Sequence, residues 1–358
     1  MISSCRGTRR TTAILKRYPQ LNKLSINDLI RHECQNGIRG GCFFISFDAY
    51  TLSKYYSLLT QRMNATKKKQ IEKWCEDYLR KDNGEPYSFE EVVKADYCEL
   101  QSIKKQIDDN SLEQYNRFLY NHNKEYKTDN KKGKKKNTCY IKDTLYNSLS
   151  SKKIEAKLLL LKNVGISVCP YCNRNYIFSN ENVITCQLDH FYNKDKYPIL
   201  AVSFFNLIPC CPTCNRLKGT KDFAFYPYDQ NNKAIDIMRF SYKTINSKFL
   251  RDKNSIIVEA SPTEDLYSEQ LETLKISKLY ELHNDIVFDI IRKSEVFSDV
   301  YINSLQTSFP KIFSSSKEVK ELLFGVPLSR DDIHKRPLSK LTQDIVFEIN
   351  EARNNEDY

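Results

Sequence analysis

Glycine is scarce in this chain, and long apolar runs are missing. Only 9 glycines occur among 358 residues, which argues against an all-β protein built on repeated tight turns. No apolar segment reaches 18 residues, and the opening MISSCRGTRRTTAILKRYP has no apolar stretch of secretory-signal length. We therefore expect a cytoplasmic protein with no membrane partner.

The composition is that of a folded protein with a basic surface. Hydrophobic residues make up 40% and charged residues 28% of the chain, which argues against wholesale disorder. The length predicts two or three folding units. The net charge of +11 favours a polyanionic partner such as nucleic acid, although solubility alone would also account for it.

Twelve cysteines in a reducing compartment do not form a disulfide framework, so a regularly spaced subset indicates a metal site. Cys169 and Cys172 form one C-x-x-C pair, and Cys211 and Cys214 form a second after 38 intervening residues. Two such knuckles can turn four thiolates toward one ion, which predicts a closed, structural Zn²⁺ site. Two other cysteines could each replace one of the four: Cys186 and Cys210.

Apolar spacing divides the chain into a helical start, a central cysteine-rich segment and a helical end. Apolar residues recur every three or four positions between residues 50 and 120, which predicts helices. Short strands are expected at 239–242 and 255–258, then one long helical pattern over 266–291 and a last helix from Ser339. The predicted fold class is α+β, mainly helical, with three domains: 1–150, 151–230 and 231–358.

A lysine-rich stretch, NHNKEYKTDNKKGKKKN at 121–137, lies in the first of these domains. Such a run cannot bury itself, so we expect a loop. It is either an ordinary solvated loop or an arm that binds phosphates.

Residues with hard ligand atoms and a base lie between and beside the cysteine pairs. Residues 183–188 read as a strand that ends at Asp189 and His190, and Asn206 and Asn215 follow downstream. The carboxylate of Asp189 and the amide oxygen of Asn215 suit Mg²⁺ or Mn²⁺. A neutral His190 can take a proton from a water that attacks phosphorus. These residues predict a phosphodiesterase site.

The segment Cys169–Tyr228, with its CPYC, LDH and CPTCN motifs, resembles the zinc-containing HNH endonucleases, whose ββα-metal core holds one divalent ion beside a histidine. The resemblance implies that Asp189 and Asn215 bind a catalytic Mg²⁺ or Mn²⁺, and that His190 is the general base. Asn206 would hold the loop and the base in position. The third position of the motif is asparagine here rather than histidine. The implied activity is hydrolysis of phosphodiester bonds in DNA.

Basic residues beside the last cysteine pair are candidates for contacts with nucleic acid. Pro212 can open a short helix and Gly219 can close it, which brings basic side chains next to Asn215. These side chains could meet substrate phosphates or could simply be solvated: Arg216, Lys218 and Lys221.

Two other functions fit part of the sequence. A zinc-ribbon module that binds nucleic acid or protein without cleavage would leave Asp189, His190 and Asn215 without a role. An RNA- or tRNA-cleaving nuclease would use the same residues. The long helical flanks also resemble those of HNH subunits of bacterial anti-phage systems, including nuclease partners of ATPases in Septu-type defence. That resemblance implies an ATPase or other defence protein docked on the N-terminal helices or on residues 262–298.

Overall fold

The computed structural model describes six stretches of the chain: 48–61, 63–109, 140–150, 155–177, 183–228 and 237–356. The predicted basic loop at 121–137 lies outside these residues. Within them, no helix is long and apolar enough to cross a membrane.

The N-terminal part of the described chain is helical: α1 (Ala49–Thr60), α2 (Ala65–Tyr78), α3 (Phe89–Lys94) and α4 (Tyr97–Asp109). Local sequence sets where these helices begin. The Asn64 side chain accepts from two amides of the first turn of α2, and Ser88 forms a capping box with Glu91 at α3. Trp74 and Phe89 are buried in the core beneath them. The helices predicted from residue 50 onward are confirmed as far as residue 109.

The centre of the chain folds as an antiparallel hairpin followed at once by a helix. A π-helical segment (Tyr140–Tyr146) and two helices, α5 (Asn147–Ser150) and α6 (Glu155–Val164), precede the hairpin. The hairpin consists of β1 (Gln187–His190) and β2 (Leu207–Cys210). The helix after it is α7 (Pro212–Lys218).

The register of this hairpin places Asp189 opposite Ile208 and His190 opposite Leu207. The strand predicted from residue 183 is shorter than expected, because β1 starts at Gln187, but it ends at the Asp-His pair as predicted. The predicted short helix is confirmed: Pro212 lies in the first turn of α7 and Gly219 ends it at φ 56°, a left-handed backbone angle that glycine tolerates.

A second hairpin and several helices follow. The hairpin consists of β3 (Met238–Thr244) and β4 (Ile256–Pro262), so the predicted short strands are present and longer than expected. The helices are α8 (Ser268–Thr273), α9 (Ile276–Tyr280), α10 (Asn284–Val296), α11 (Asp299–Ser308), α12 (Ser316–Phe324) and α13 (Ser339–Glu356). α13 packs on β3 and α10, and α9 packs on β4. The last helix, predicted from Ser339, is confirmed.

The long helical pattern predicted over 266–291 is confirmed as helical, but it is divided into three helices. Lys275 takes a left-handed backbone with φ 54°, which ends α8, and a 3₁₀ turn at Glu281–His283 separates α9 from α10. The breaks let Leu274 and Tyr280 both point into the core, where each is fully buried. Tertiary packing has overridden the local helical period here.

The predicted fold class, mainly helical α+β, is confirmed. The buried apolar side chains form one continuous cluster that runs from the N-terminal helices through the central hairpin to α13. The central ββα unit therefore lies between two helical regions that both contact it. The division of the chain at residues 150 and 230 stays a prediction.

Candidate active site

Four cysteine thiols meet beside the central hairpin. The sulfur atoms of Cys169, Cys172, Cys211 and Cys214 all lie within 4.8 Å of one another, and all four side chains are buried. The pKa of the Cys211 thiol is lowered, because the Cys169 thiol, and then those of Cys172 and Cys214, donate hydrogen bonds that favour its thiolate. Four converging sulfur donors can hold one zinc ion, and the group includes neither of the two alternative cysteines.

The first cysteine knuckle is closed by its own backbone. Asn173 takes a left-handed φ of 48° and its amide donates to the Cys169 carbonyl at 2.8 Å, while the Cys169 amide donates to the Asn175 carbonyl at 3.0 Å. The Asn175 side chain and the Cys214 amide each donate to the sulfur of Cys211 at 3.4 Å. Such N–H to sulfur contacts orient a thiolate toward its ion.

The C-terminal region clamps the same knuckle. The Asn173 side chain donates to the Ile333 carbonyl at 2.8 Å and accepts from the Lys340 amide, at the start of α13, at 2.9 Å. The Tyr280 hydroxyl donates to the Cys172 carbonyl at 2.6 Å. These bonds make the cysteine cluster the anchor of the C-terminal helices as well as of the hairpin.

Asp189 is buried, and each of its carboxylate oxygens has a polar partner. Its Oδ2 accepts from the Tyr171 hydroxyl at 2.7 Å, and the Lys218 ammonium lies 3.1 Å from Oδ2 and 3.3 Å from Oδ1. Burial raises the pKa of Asp189, while the charge of Lys218 acts against that rise. Because Tyr171 lies inside the first C-x-x-C pair and Lys218 ends α7, the carboxylate ties both knuckles to β1.

His190 has one ring nitrogen bonded to the backbone. Its Nε2 lies 3.0 Å from the Ala201 carbonyl oxygen. Because a carbonyl only accepts, Nε2 carries the proton and Nδ1 keeps its lone pair. Burial first, and then the ammonium of Lys194, lowers the pKa of His190 to about 3, so the ring is neutral near pH 7. A neutral imidazole with a fixed tautomer is equipped to accept a proton at Nδ1.

Asn206 fastens the loop between the two strands. Its Oδ1 accepts from the Tyr192 amide at 2.7 Å, and its Nδ2 donates to the carbonyls of Tyr192 at 3.1 Å and Leu200 at 2.9 Å. The side chain is completely buried. Since Leu200 precedes Ala201, these bonds support the carbonyl that orients His190.

The N-terminal helices hold the other side of that loop. The Tyr55 hydroxyl of α1 donates to the Val202 carbonyl at 3.0 Å, and the Ser203 hydroxyl donates to the Val92 carbonyl of α3 at 2.8 Å. The ring of Phe204 packs edge-on against Tyr55 with centroids 5.0 Å apart. The N-terminal helices thus position the loop on which His190 depends.

The residues predicted on and after α7 fall in different environments. Asn215 is half-buried and its Nδ2 donates to the Gln187 side chain at 2.7 Å, across to the start of β1. Arg216 is exposed, and the exposed Lys221 donates to Thr273 at 2.9 Å. Lys218 is 2% exposed and also donates to the His190 carbonyl at 2.8 Å, so its ammonium faces inward.

Comparison with known proteins gives one partial relationship. The chain is 34% identical over 107 residues to the Septu protein PtuB of Bacillus thuringiensis, a match that covers 28% of this chain and 39% of that protein. No protein-family model matches the chain, and no solved structure matches it. The chain therefore shares sequence with less than half of that relative's length.

Three side chains at the site were not predicted from sequence. Tyr171 bonds to Asp189, and the ring of Tyr146 packs edge-on against His190 with centroids 4.4 Å apart. Lys194 lies over the same Tyr146 ring at 4.3 Å. The only sequence signal was position: Tyr171 lies inside a cysteine pair and Lys194 four residues after His190.

Proposed function

We propose that this protein is a metal-dependent HNH endonuclease that hydrolyses phosphodiester bonds in DNA and serves in anti-phage defence. The observation that carries the activity is His190, a neutral imidazole with a fixed tautomer at the end of the first strand of a ββα unit. The similarity to the Septu protein PtuB supports the defence role.

In the proposed reaction, Nδ1 of His190 takes a proton from a water molecule. The electron pair of the broken O–H bond forms the new P–O bond, and the old P–O bond breaks with its pair on the leaving oxygen, which solvent protonates. Ala201 keeps the proton on Nε2 throughout, because its carbonyl accepts from that nitrogen at 3.0 Å. The side chain of Asn206 and the Tyr55 hydroxyl of α1 fix the loop that contains Ala201.

The donors available for a catalytic ion have the right chemistry. Asp189 offers a carboxylate and Asn215 an amide oxygen, both hard ligands for Mg²⁺ or Mn²⁺. Lys218 already lies on the carboxylate, so an ion would share Asp189 with that ammonium. A bound ion would supply electrostatic stabilisation of the charge that develops on the phosphate and the leaving oxygen.

The activity is tested by nicking of supercoiled plasmid with Mg²⁺ or Mn²⁺. We expect His190→Ala to lose at least about 10²-fold in rate, the usual share of a general base. Asn215→Ala should lose activity while it keeps its zinc. His283→Gln changes a half-buried histidine outside the site and should cleave like wild type. Equal rates for His190→Ala and wild type would refute the assigned base.

The same assay separates the alternatives. A chain that binds DNA or RNA but cleaves neither with any divalent metal is a binding module. Cleavage of RNA or tRNA in preference to plasmid assigns an RNA substrate, with the same dependence on His190.

The ligand assignment has a readout that needs no activity. Mn²⁺ should raise the melting temperature of the wild type by binding the folded state, and less so in Asn215→Ala. Equal shifts in both proteins would exclude Asn215 as a ligand.

The last part of the proposal concerns a protein partner that regulates the nuclease. We propose that an ATPase or other defence protein docks on the helical flanks, where Leu282 and Val296 expose 67% and 71% of their area within the predicted docking region. Copurification of products of neighbouring genes tests it. Full activity of the isolated chain would argue against restraint by a partner.

A further inference from the structure

The turn after β1 presents one lysine in a fixed position. The Asn193 side chain accepts from the Asp195 amide at 2.8 Å, and the Asn193 carbonyl accepts from the amides of Lys196 at 3.1 Å and Tyr197 at 2.7 Å. Three bonds onto one residue make a tight turn rather than a free loop. Lys194 lies inside this turn.

The side chains of Lys194 and His190 contact the same aromatic ring, that of Tyr146. The Lys194 ammonium lies 4.3 Å from the centroid of Tyr146, and the His190 ring meets the same tyrosine edge-on at 4.4 Å with an interplanar angle of 63°. The Tyr146 hydroxyl donates to the Leu188 carbonyl at 3.2 Å, which fixes the ring against β1. Tyr146 therefore contacts both the cation and the proposed base, close enough for the charge of Lys194 to lower the pKa of His190.

Lys194 has no ion-pair contact among the described residues, unlike two lysines near it in the chain or in space. Lys142 pairs with Asp195 at 2.6 Å, and Lys196 lies 3.4 Å from Asp108. Among the described residues, none places a carboxylate within ion-pair distance of the half-buried Lys194. Burial lowers the pKa of Lys194, the ammonium of Lys142 adds to that effect, and the carboxylates of Asp195, Asp143 and Asp189 oppose it without reversing it. Because the pKa stays lowered, an anion in contact with this ammonium would be favourable.

We propose that Lys194 is a catalytic residue that binds a non-bridging oxygen of the scissile phosphate beside His190. The inference rests on the proposed nuclease function. Lys194 takes part in no bond change and remains an ammonium. Its charge stabilises the negative charge that builds up on phosphorus-bound oxygen as the water attacks. The Tyr146 ring holds the ammonium by a cation–π contact before substrate arrives.

The test is Lys194→Met, which keeps the stem on Tyr146 and removes the charge, with Lys196→Met as the matched control two residues along the same turn. Lys194→Met should lower kcat about 10²-fold or more, with KM changed much less. Lys194→Arg should recover part of the rate, and Lys196→Met should keep it. Zinc content and melting temperature should stay near wild type.

A second readout follows phosphate contact directly. DNA binding is measured in a His190→Ala background, which leaves the DNA intact. The logarithm of the binding constant falls with the logarithm of the salt concentration, and adding Lys194→Met should make that slope shallower by about one unit. A structural role would not change that slope. If Lys194→Met melts early, Lys194→Gln carries the same expectations.

The outcomes separate the two proposals. Wild-type kcat and salt slope in Lys194→Met, with His190→Ala inactive, would overturn the role of Lys194 and leave the nuclease standing. Absence of cleavage by the wild type on DNA and RNA overturns both.

Discussion

The ammonium of Lys218 lies 3.1 Å from the Asp189 carboxylate, and both side chains are almost completely buried, at 1% and 3% exposed. A buried carboxylate is costly unless it is paired and hydrogen-bonded, and here Tyr171 supplies the further bond at 2.7 Å. The pair joins the end of α7 to the end of β1. It fixes the strand that carries His190 relative to the helix that carries Asn215.

Lys218→Met should destabilise the protein by about 3–5 kcal/mol, because it leaves Asp189 as a buried charge without its counter-ion. Urea denaturation at pH 7 measures the change. Lys221→Met removes an exposed lysine three residues away and should cost less than about 1 kcal/mol. The double variant Lys218→Met/Asp189→Asn should recover part of the loss, since neither charge remains. A small effect of Lys218→Met alone would show that the pair is weak.

The grouping of four cysteines and the short helix after the second pair could be predicted from residue spacing. Two residues between ligands define a knuckle, and Pro212 and Gly219 mark the ends of α7. The second strand of the hairpin was implied only by the resemblance to HNH endonucleases. The inward orientation of the Lys218 side chain could not be predicted, because a lysine on a short helix near the surface normally points to solvent. Its direction depends on Asp189, 29 residues earlier in the chain.

Long-range contacts also explain what else the sequence did not predict. Tyr146 reaches His190 from a π-helical segment, and no periodicity connects the two. The breaks in the helical pattern over 266–291 were not predicted, because one of them depends on a left-handed conformation at Lys275 that lysine rarely adopts. Both features follow from packing between elements and not from local preference.

Zinc should stabilise the C-terminal helices as well as the hairpin. Cys172→Ser removes one of the four sulfur donors and should lose zinc, with a fall in stability of several kcal/mol. The Asn173 clamp on α13 should loosen with it, so that amide hydrogen exchange in α13 accelerates. Metal analysis and exchange mass spectrometry measure the two effects.

Cys210→Ser provides the control for that prediction. Cys210 is fully buried next to Cys211 but lies outside the four-sulfur group. The variant should keep one zinc per chain. Loss of zinc from Cys210→Ser with zinc retained in Cys172→Ser would mean that the ligand set is misassigned.

Asn206 should matter for both stability and activity. Asn206→Ala leaves one amide and two carbonyls of the loop without their partner in a fully buried place, at a cost of about 3 kcal/mol. The cleavage rate should fall more than the affinity for DNA. The reason is that the loop loses support near the Ala201 carbonyl, which orients the ring of His190. Asn206→Asp should be worse than alanine, since a carboxylate would face two carbonyl oxygens. If Asn206→Asp is well tolerated, the assigned amide orientation is wrong.

Protonation of His190 should destabilise the folded protein in acid. Its pKa is about 3 when folded and about 6.5 when unfolded, so below pH 6.5 the unfolded chain binds the extra proton. The stabilisation is fully present above pH 6.5 and is lost as the pH falls toward 3, a total on the order of 5 kcal/mol.

His190→Gln removes this dependence. Between pH 7.5 and 4.5 the wild type should lose about 3 kcal/mol more in urea denaturation than the variant does. Asp189 acts in the opposite direction because burial raises its pKa, but it is present in both proteins and cancels in the comparison. His283→Gln should change the pH dependence less, because that ring is only half-buried. Identical pH profiles for wild type and His190→Gln would show that His190 is not held neutral by the fold.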